Sequence, residues 1–267
     1  MTESRGPAGP VGGAHARRAP GSPCWVSLMV QAPSTAKEFY GTLFGWEFRP
    51  GPRQLGPNLR ALIGGQEVAG IGQLPPDRPS AAAWTPYFAS DDVDRTAETV
   101  RLCGGTVGVG PLDADDTGRM AIASDPTGAV FGTCQGGARL AMGGAEGPGT
   151  PAWNELVTFE TANVVKFYAT VFGYEQDPVV SADFDYVTLG IAGRPVAGVH
   201  GVGHRLPRTR GPHWLTYFEV GETDAALRQV VELGGLVLKP AHDSGHGRVA
   251  TVTDPEGTVF SVVQNPR

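Results

Sequence analysis

The chain is written twice. The segment CWVSLMVQAPSTAKEFYGTLFGW from Cys24 returns as AWNELVTFETANVVKFYATVFGY from Ala152, and Asp125-Pro126 returns as Asp254-Pro255 at almost unchanged spacing. Similarity sustained along most of each half is an internal repeat, so both halves should share one fold. Between them the run GGARLAMGGAEGPG, Gly136 to Gly149, reads as a flexible linker. Residues 1–22 are Gly, Pro, Ala and Arg without apolar periodicity, which predicts a disordered tail. The expected organisation is therefore a tail at 1–22, a first domain at 23–135, a linker at 136–151 and a second domain at 152–267. A chain of 267 residues leaves each domain long enough for a core of its own.

Each half contains a further half-repeat. WVSLMV alternates like a strand, with Val26, Leu28 and Val30 on one face. PSTAKEFYGTLFG reads as a helix opened by Pro33 and Ser34 and closed by Gly45. The runs WEFRPG, LRALIGG and QEVAGIGQL suit strands and turns. From Trp84 the order restarts: WTPYFAS as a strand, DDVDRTAETVRLCGG as a helix stopped at Gly104, then three strand candidates ending in AVFGTCQ. The spacing predicts four strand–helix–three-strand modules in an α+β fold.

The strings FYGTLFGW, DDVDRTAETVRLCGG and GRMAIASDPTGAVFG, with their echoes FYATVFGY, GETDAALRQVVELGG and GRVATVTDPEGTVF, resemble the vicinal oxygen chelate superfamily. That group includes glyoxalase I, extradiol dioxygenases, fosfomycin-resistance transferases and bleomycin-resistance proteins. The resemblance implies four βαβββ modules forming two glyoxalase-like cup-shaped domains, with helices outside and ligand inside. It also implies a divalent metal held by His or Gln on each module's first strand and Glu on a late strand. Those positions fall on Trp25, Thr85 and Gly132 in the first half and on Trp153, Leu215 and Ser261 in the second. None carries a usual metal ligand, so neither a metal nor another cofactor is expected.

If Val26, Leu28 and Val30 pack under the helices, alternation turns Trp25, Ser27 and Met29 into the first cup, together with Thr85, Tyr87, Gly132 and Cys134. In the second cup it selects Trp153, Glu155, Val157, Leu215, Tyr217, Glu219 and Ser261. A Trp and a Tyr on facing strands suit a flat, largely apolar ligand. Glu155, at the place of Ser27, is the candidate general base, with Tyr217 and His200 assisting. His242, Asp243 and His246 are expected on a mobile loop near the rim of the same cup, as further ligand contacts.

The remaining features narrow the class. Composition is that of a globular chain, 40% hydrophobic and 18% charged, with a net charge of −6 and no basic cluster to track a phosphate backbone. No nucleic acid and no membrane partner is expected, and the N-terminal run lacks the apolar core of a secretory signal, which predicts a cytoplasmic protein. Cys24, Cys103 and Cys134, an odd count without CxxC spacing, are expected as free thiols. Two functional readings follow: metal-independent binding of an aromatic or polycyclic small molecule in the manner of bleomycin-resistance proteins, or a metal-free tailoring enzyme (isomerase, lyase or hydrolase) using Glu155. A protein with filled cups, acting on a partner, is a third. The fused duplication resembles a family dimer made in one chain, so a monomer is as natural as a homodimer.

Overall fold

A computed structural model describes residues 18–51, 58–75, 83–114, 118–136, 145–179, 185–207, 210–245 and 247–266. The first half runs β1 (Pro23–Val30), α1 (Pro33–Phe44), β2 (Glu47–Pro50), β3 (Asn58–Ile63), β4 (Gln66–Gln73), β5 (Trp84–Ala89), α2 (Val93–Leu102), β6 (Thr106–Asp113), β7 (Arg119–Ser124) and β8 (Val130–Gln135). The second repeats it: β9 (Pro151–Thr158), α3 (Ala162–Phe172), β10 (Glu175–Val179), β11 (Asp185–Ile191), β12 (Arg194–Gly201), β13 (His213–Glu219), α4 (Thr223–Glu232), β14 (Leu236–Ser244), β15 (Gly247–Thr253) and β16 (Val259–Gln264). α1 and α3 both stop at a left-handed glycine, Gly45 and Gly173, a conformation that costs a residue without Cβ nothing.

Two eight-stranded mixed sheets result, ordered β2-β3-β4-β1-β5-β8-β7-β6 and β10-β11-β12-β9-β13-β16-β15-β14. Each sheet is thus built from the two modules of one half, which settles a pairing the sequence left open. The cores pair differently. Val26, Leu28 and Val30 of β1 and Phe39, Tyr40 and Phe44 of α1 pack with Phe218, Val230, Val252, Phe260 and Val262 of the second half. The other cluster joins Phe88, Val100 and Phe131 of the first half to Leu156, Phe167, Tyr168 and Leu189. These two apolar cores therefore lie between the halves, while a third, smaller cluster of Cys24, Trp25, Tyr87, Ala89, Met120 and Cys134 lies within the first half.

Two buried polar chains tie the halves together. Trp84 Nε1 donates to the Tyr40 hydroxyl (3.2 Å), which donates to Asp254 Oδ2 of the other half (2.9 Å). In the same way Trp214 Nε1 donates to the Tyr168 hydroxyl (3.0 Å), and this donates to Asp125 Oδ2 (3.0 Å). Each Asp also accepts backbone N–H groups of its own turn, Thr127 and Ala129 for Asp125, Glu256 and Thr258 for Asp254. A buried carboxylate needs this many donors to offset its lost hydration. The repeated Phe-Tyr and Asp-Pro motifs are thus each other's partners across the duplication.

Three expectations change here. Of the predicted tail, residues 18–22 are described and packed: Gly21 and Ser22 pair with Ala89, and the Tyr174 hydroxyl donates to the Gly21 carbonyl at 2.6 Å. The described end of the linker does the same in the second half, with Gly149 and Thr150 paired to Glu219 and Trp46 Nε1 donating to the Gly149 carbonyl at 2.8 Å. Cys24 and Cys134 are not free thiols; they are linked across β5, and only Cys103 is free. They stand 110 residues apart in sequence, so only the β1-β5-β8 order brings them together.

Candidate functional site

The second cup is a cavity of about 740 Å³ on the concave face of its sheet. Four adjacent strands deliver its polar floor. β9 points Trp153 and Glu155 the same way, β13 places Tyr217 opposite Trp153, β12 places His200 opposite Val157, and β11 places Tyr186 opposite His200. Tyr217 and His200 meet on one carboxylate. Glu155 Oε1 accepts from the Tyr217 hydroxyl at 3.3 Å and lies 3.4 Å from His200 Nδ1, where an Nδ1–H tautomer donates to it. The Glu155 side chain is only 12% exposed. Gly198 leaves the space through which the Tyr186 hydroxyl and Trp153 Nε1 pass; a side chain there would collide with the hydroxyl.

The electrostatics follow from burial. Tyr217 and Tyr186 are held protonated, first by desolvation and then by the Glu155 charge, so both act as donors. His213, on β13, is pushed down to about 4 by burial and by the nearby Arg210 cation, and is neutral at pH 7.

Of the residues predicted for this cup, Trp153, Glu155, Tyr217, His200 and His242 line it. Leu215 is buried beside Glu155 in the sheet, Ser261 is buried with its hydroxyl 3.1 Å from Thr251 Oγ1, and Glu219 accepts from Asn265 Nδ2 at the sheet's end. His242 and Asp243 belong to strand β14 rather than to a loop, because the β14–β15 ladder runs on to Ser244 and Gly247. Asp243 pairs with Arg248, and His246 lies outside the described residues. Tyr186, Thr188 and Lys239 also line the cup and were not anticipated. Their strands showed only as apolar or mixed runs, without a motif.

The first cup is smaller, about 380 Å³; Trp25, Ser27, Met29, Tyr87 and Cys134 line it, whereas Thr85 and Gly132 are not among its lining residues. Ser27 Oγ donates to the Tyr87 hydroxyl at 3.2 Å, the same strand-to-strand contact that Glu155 makes with Tyr217. Arg60, unanticipated, sets its guanidinium 4.7 Å from the Trp25 ring centroid. A charged residue within the apolar strand LRALI was the available signal.

The residues do not fit the divalent metal that the resemblance implies. In the second cup its three positions hold the Trp153 indole, the Leu215 aliphatic chain and the Ser261 hydroxyl, which is already engaged with Thr251. Among the described residues no group of three His, Cys, Asp or Glu side chains is placed to hold a metal ion.

Two cup-shaped mixed sheets, each from a pair of βαβββ modules with helices behind and a cavity in front, define a fused pair of glyoxalase-like domains. Residues 24–132 match the model of the Glyoxalase/Bleomycin resistance protein/Dioxygenase superfamily and residues 157–263 that of the Glyoxalase-like domain, and the chain belongs to this superfamily. It is 34% identical over 250 residues to the putative glyoxylase CFP32 of Mycobacterium tuberculosis, covering 91% of this chain and 95% of the relative. It is also 34% identical over 268 residues to the anthracycline biosynthesis protein DnrV of Streptomyces peucetius, covering 93% and 94%. In fold it is similar to the 2,3-dioxygenase LapB from Pseudomonas sp. KL28 (TM-score 0.67, 14% identity, 94% of both chains). The Mn(II)-bound glyoxalase from Novosphingobium aromaticivorans is similarly related (TM-score 0.64, 17% identity, 92% of this chain and 85% of that one). No described helix is long and apolar enough to cross a membrane.

Proposed function

We propose that the second cup binds a planar aromatic or polycyclic small molecule without a metal ion, and that Glu155 is the general base acting on it. The observation that carries this reading is the half-buried cluster of Glu155, His200 and Tyr217 in a cavity large enough for a fused-ring ligand. Trp153 and Tyr186 supply stacking surface, and the relatives named for anthracycline biosynthesis support a fused-ring ligand. In the proposed step the Glu155 carboxylate takes a proton from a carbon next to a ring carbonyl. The electron pair of that C–H bond moves into the enolate, and its charge rests on the carbonyl oxygen. Where a C=C bond adjoins that carbon the enolate is a conjugated dienolate, and return of the proton to its far (γ) carbon shifts the double bond and completes an isomerisation, with the His200 contact holding the carboxylate in place.

The second reading is sequestration without turnover, in the manner the superfamily's name gives to bleomycin resistance. The predominantly apolar wall of the cavity favours it. One experiment separates the two: titrate the protein with the fused-ring ligand alizarin, following Trp fluorescence, and with α-tetralone in deuterium oxide, following loss of its α-hydrogens by proton NMR. Binding with exchange that disappears in Glu155→Gln supports the base. Binding without exchange in the parent chain supports sequestration, and no binding of either compound overturns both.

A further inference from the structure

Aligned through their ladders, the two cups carry opposite deep charges in one transverse row. In the second, Glu155 and Thr188 flank Gly198; in the first, Ser27 and Arg60 flank the matching Gly70. The acid of one cup has thus become a hydroxyl in the other, and a hydroxyl has become a guanidinium.

We propose that the first cup is a separate binding site for a planar aromatic carboxylate, anchored by Arg60. Four observations carry this. The Arg60 side chain is only 7% exposed, yet it lines the cavity. Its nearest carboxylate, Glu67, is 3.9 Å from Nε and is shared with Arg49, so the three groups keep one net positive charge. Among the described residues none accepts a hydrogen bond from Arg60, although a guanidinium carries five N–H donors in a plane suited to a carboxylate. Finally, the walls include Trp25, Met29, Tyr87 and Ile122, which suit an aromatic ring, beside the polar Ser27 and Asn58, and no described lining residue is acidic. The Arg60 guanidinium lies over the Trp25 ring, a cation–π contact that uses none of its N–H donors. This site goes beyond the reading of the second cup and does not depend on it.

The test is calorimetric titration of the intact chain with β-naphthoate and with its neutral isostere β-naphthamide. The acid should bind at one site about tenfold or more tighter than the amide, as expected when a charged hydrogen-bond partner is removed, and Arg60→Gln should abolish that preference. Ser27→Glu, which installs the second cup's carboxylate beside Arg60, should weaken the acid and spare the amide. Equal affinities for acid and amide, no binding of the acid, or a preference that survives Arg60→Gln would each overturn the proposal. The comparison on the parent chain stands even if a variant fails to fold. Failure here is distinguishable from failure of the second-cup reading, which is measured by proton exchange at Glu155.

Discussion

Tyr40 and Tyr168 occupy the same place in α1 and α3 and do the same thing, donating to the buried Asp of the opposite half. Ser27 and Glu155 occupy the same place in β1 and β9 and do different things: one is a hydroxyl partner for Tyr87, the other a carboxylate shared by Tyr217 and His200. The repeat is therefore kept where the halves meet and lost where they face a ligand. Packing between modules tolerates little change, because a buried carboxylate without its donor is costly. The cup residues Ser27, Arg60 and Glu155 take their partners from their own half, and there the two copies carry opposite charges.

The largest expected effect falls on the difference. Glu155→Gln should slow α-hydrogen exchange by about 10²–10⁴-fold while binding persists, the usual contribution of a positioned base; an unchanged rate would erase the distinction between the cups. Next comes the sameness. Asp254→Ala and Asp125→Ala should each destabilise the chain by about 3 kcal/mol in denaturant titrations, and similar losses would show that the two ties are equivalent. A large loss in only one would mean that the interface has diverged too. Trp153→Ala should weaken alizarin by about 1–3 kcal/mol if its ring is a stacking wall, whereas Trp25→Ala should leave that ligand's affinity unchanged.

The last effect is absent at neutral pH and appears only on acidification. His213 sits near 4 in the folded chain and at about 6.5 unfolded, so the unfolded state takes up the proton first on acidification. Its contribution to stability is level above pH 6.5 and is lost as pH falls from 6.5 towards 4, by at most about 1.4 kcal/mol per pH unit. The first half has Ala83 at this place, so His213→Ala should flatten that part of the curve in thermal melts.

Much of this was legible in the sequence because it is local. Alternation in WVSLMV put Val26, Leu28 and Val30 in the core and Trp25 and Ser27 in the cup, and the same reasoning found Trp153, Glu155 and Tyr217. What escaped depends on distant neighbours. Phe-Tyr and Asp-Pro served as markers of the repeat, while their pairing across the halves could not be read from either copy alone. Arg60 and Tyr186 lie in strands whose order beside β4 and β12 decides what they face. Gly21 looked like tail because nothing near it in sequence shows that Tyr174 closes over it. Leu215, Ser261 and Glu219 do alternate towards the cup, but neighbouring side chains cover them or bond them first.

The crossed Tyr–Asp ties have a consequence for how such a molecule can evolve. An isologous pair of separate, identical chains would carry every substitution twice, once in each cup, so a carboxylate gained for one site would be imposed on the other. Joining the copies makes the contact intramolecular and removes that copying rule. The covalent join between the halves thus permits what two identical subunits cannot: a shared interface held by matched residues, around which each cavity acquires its own chemistry.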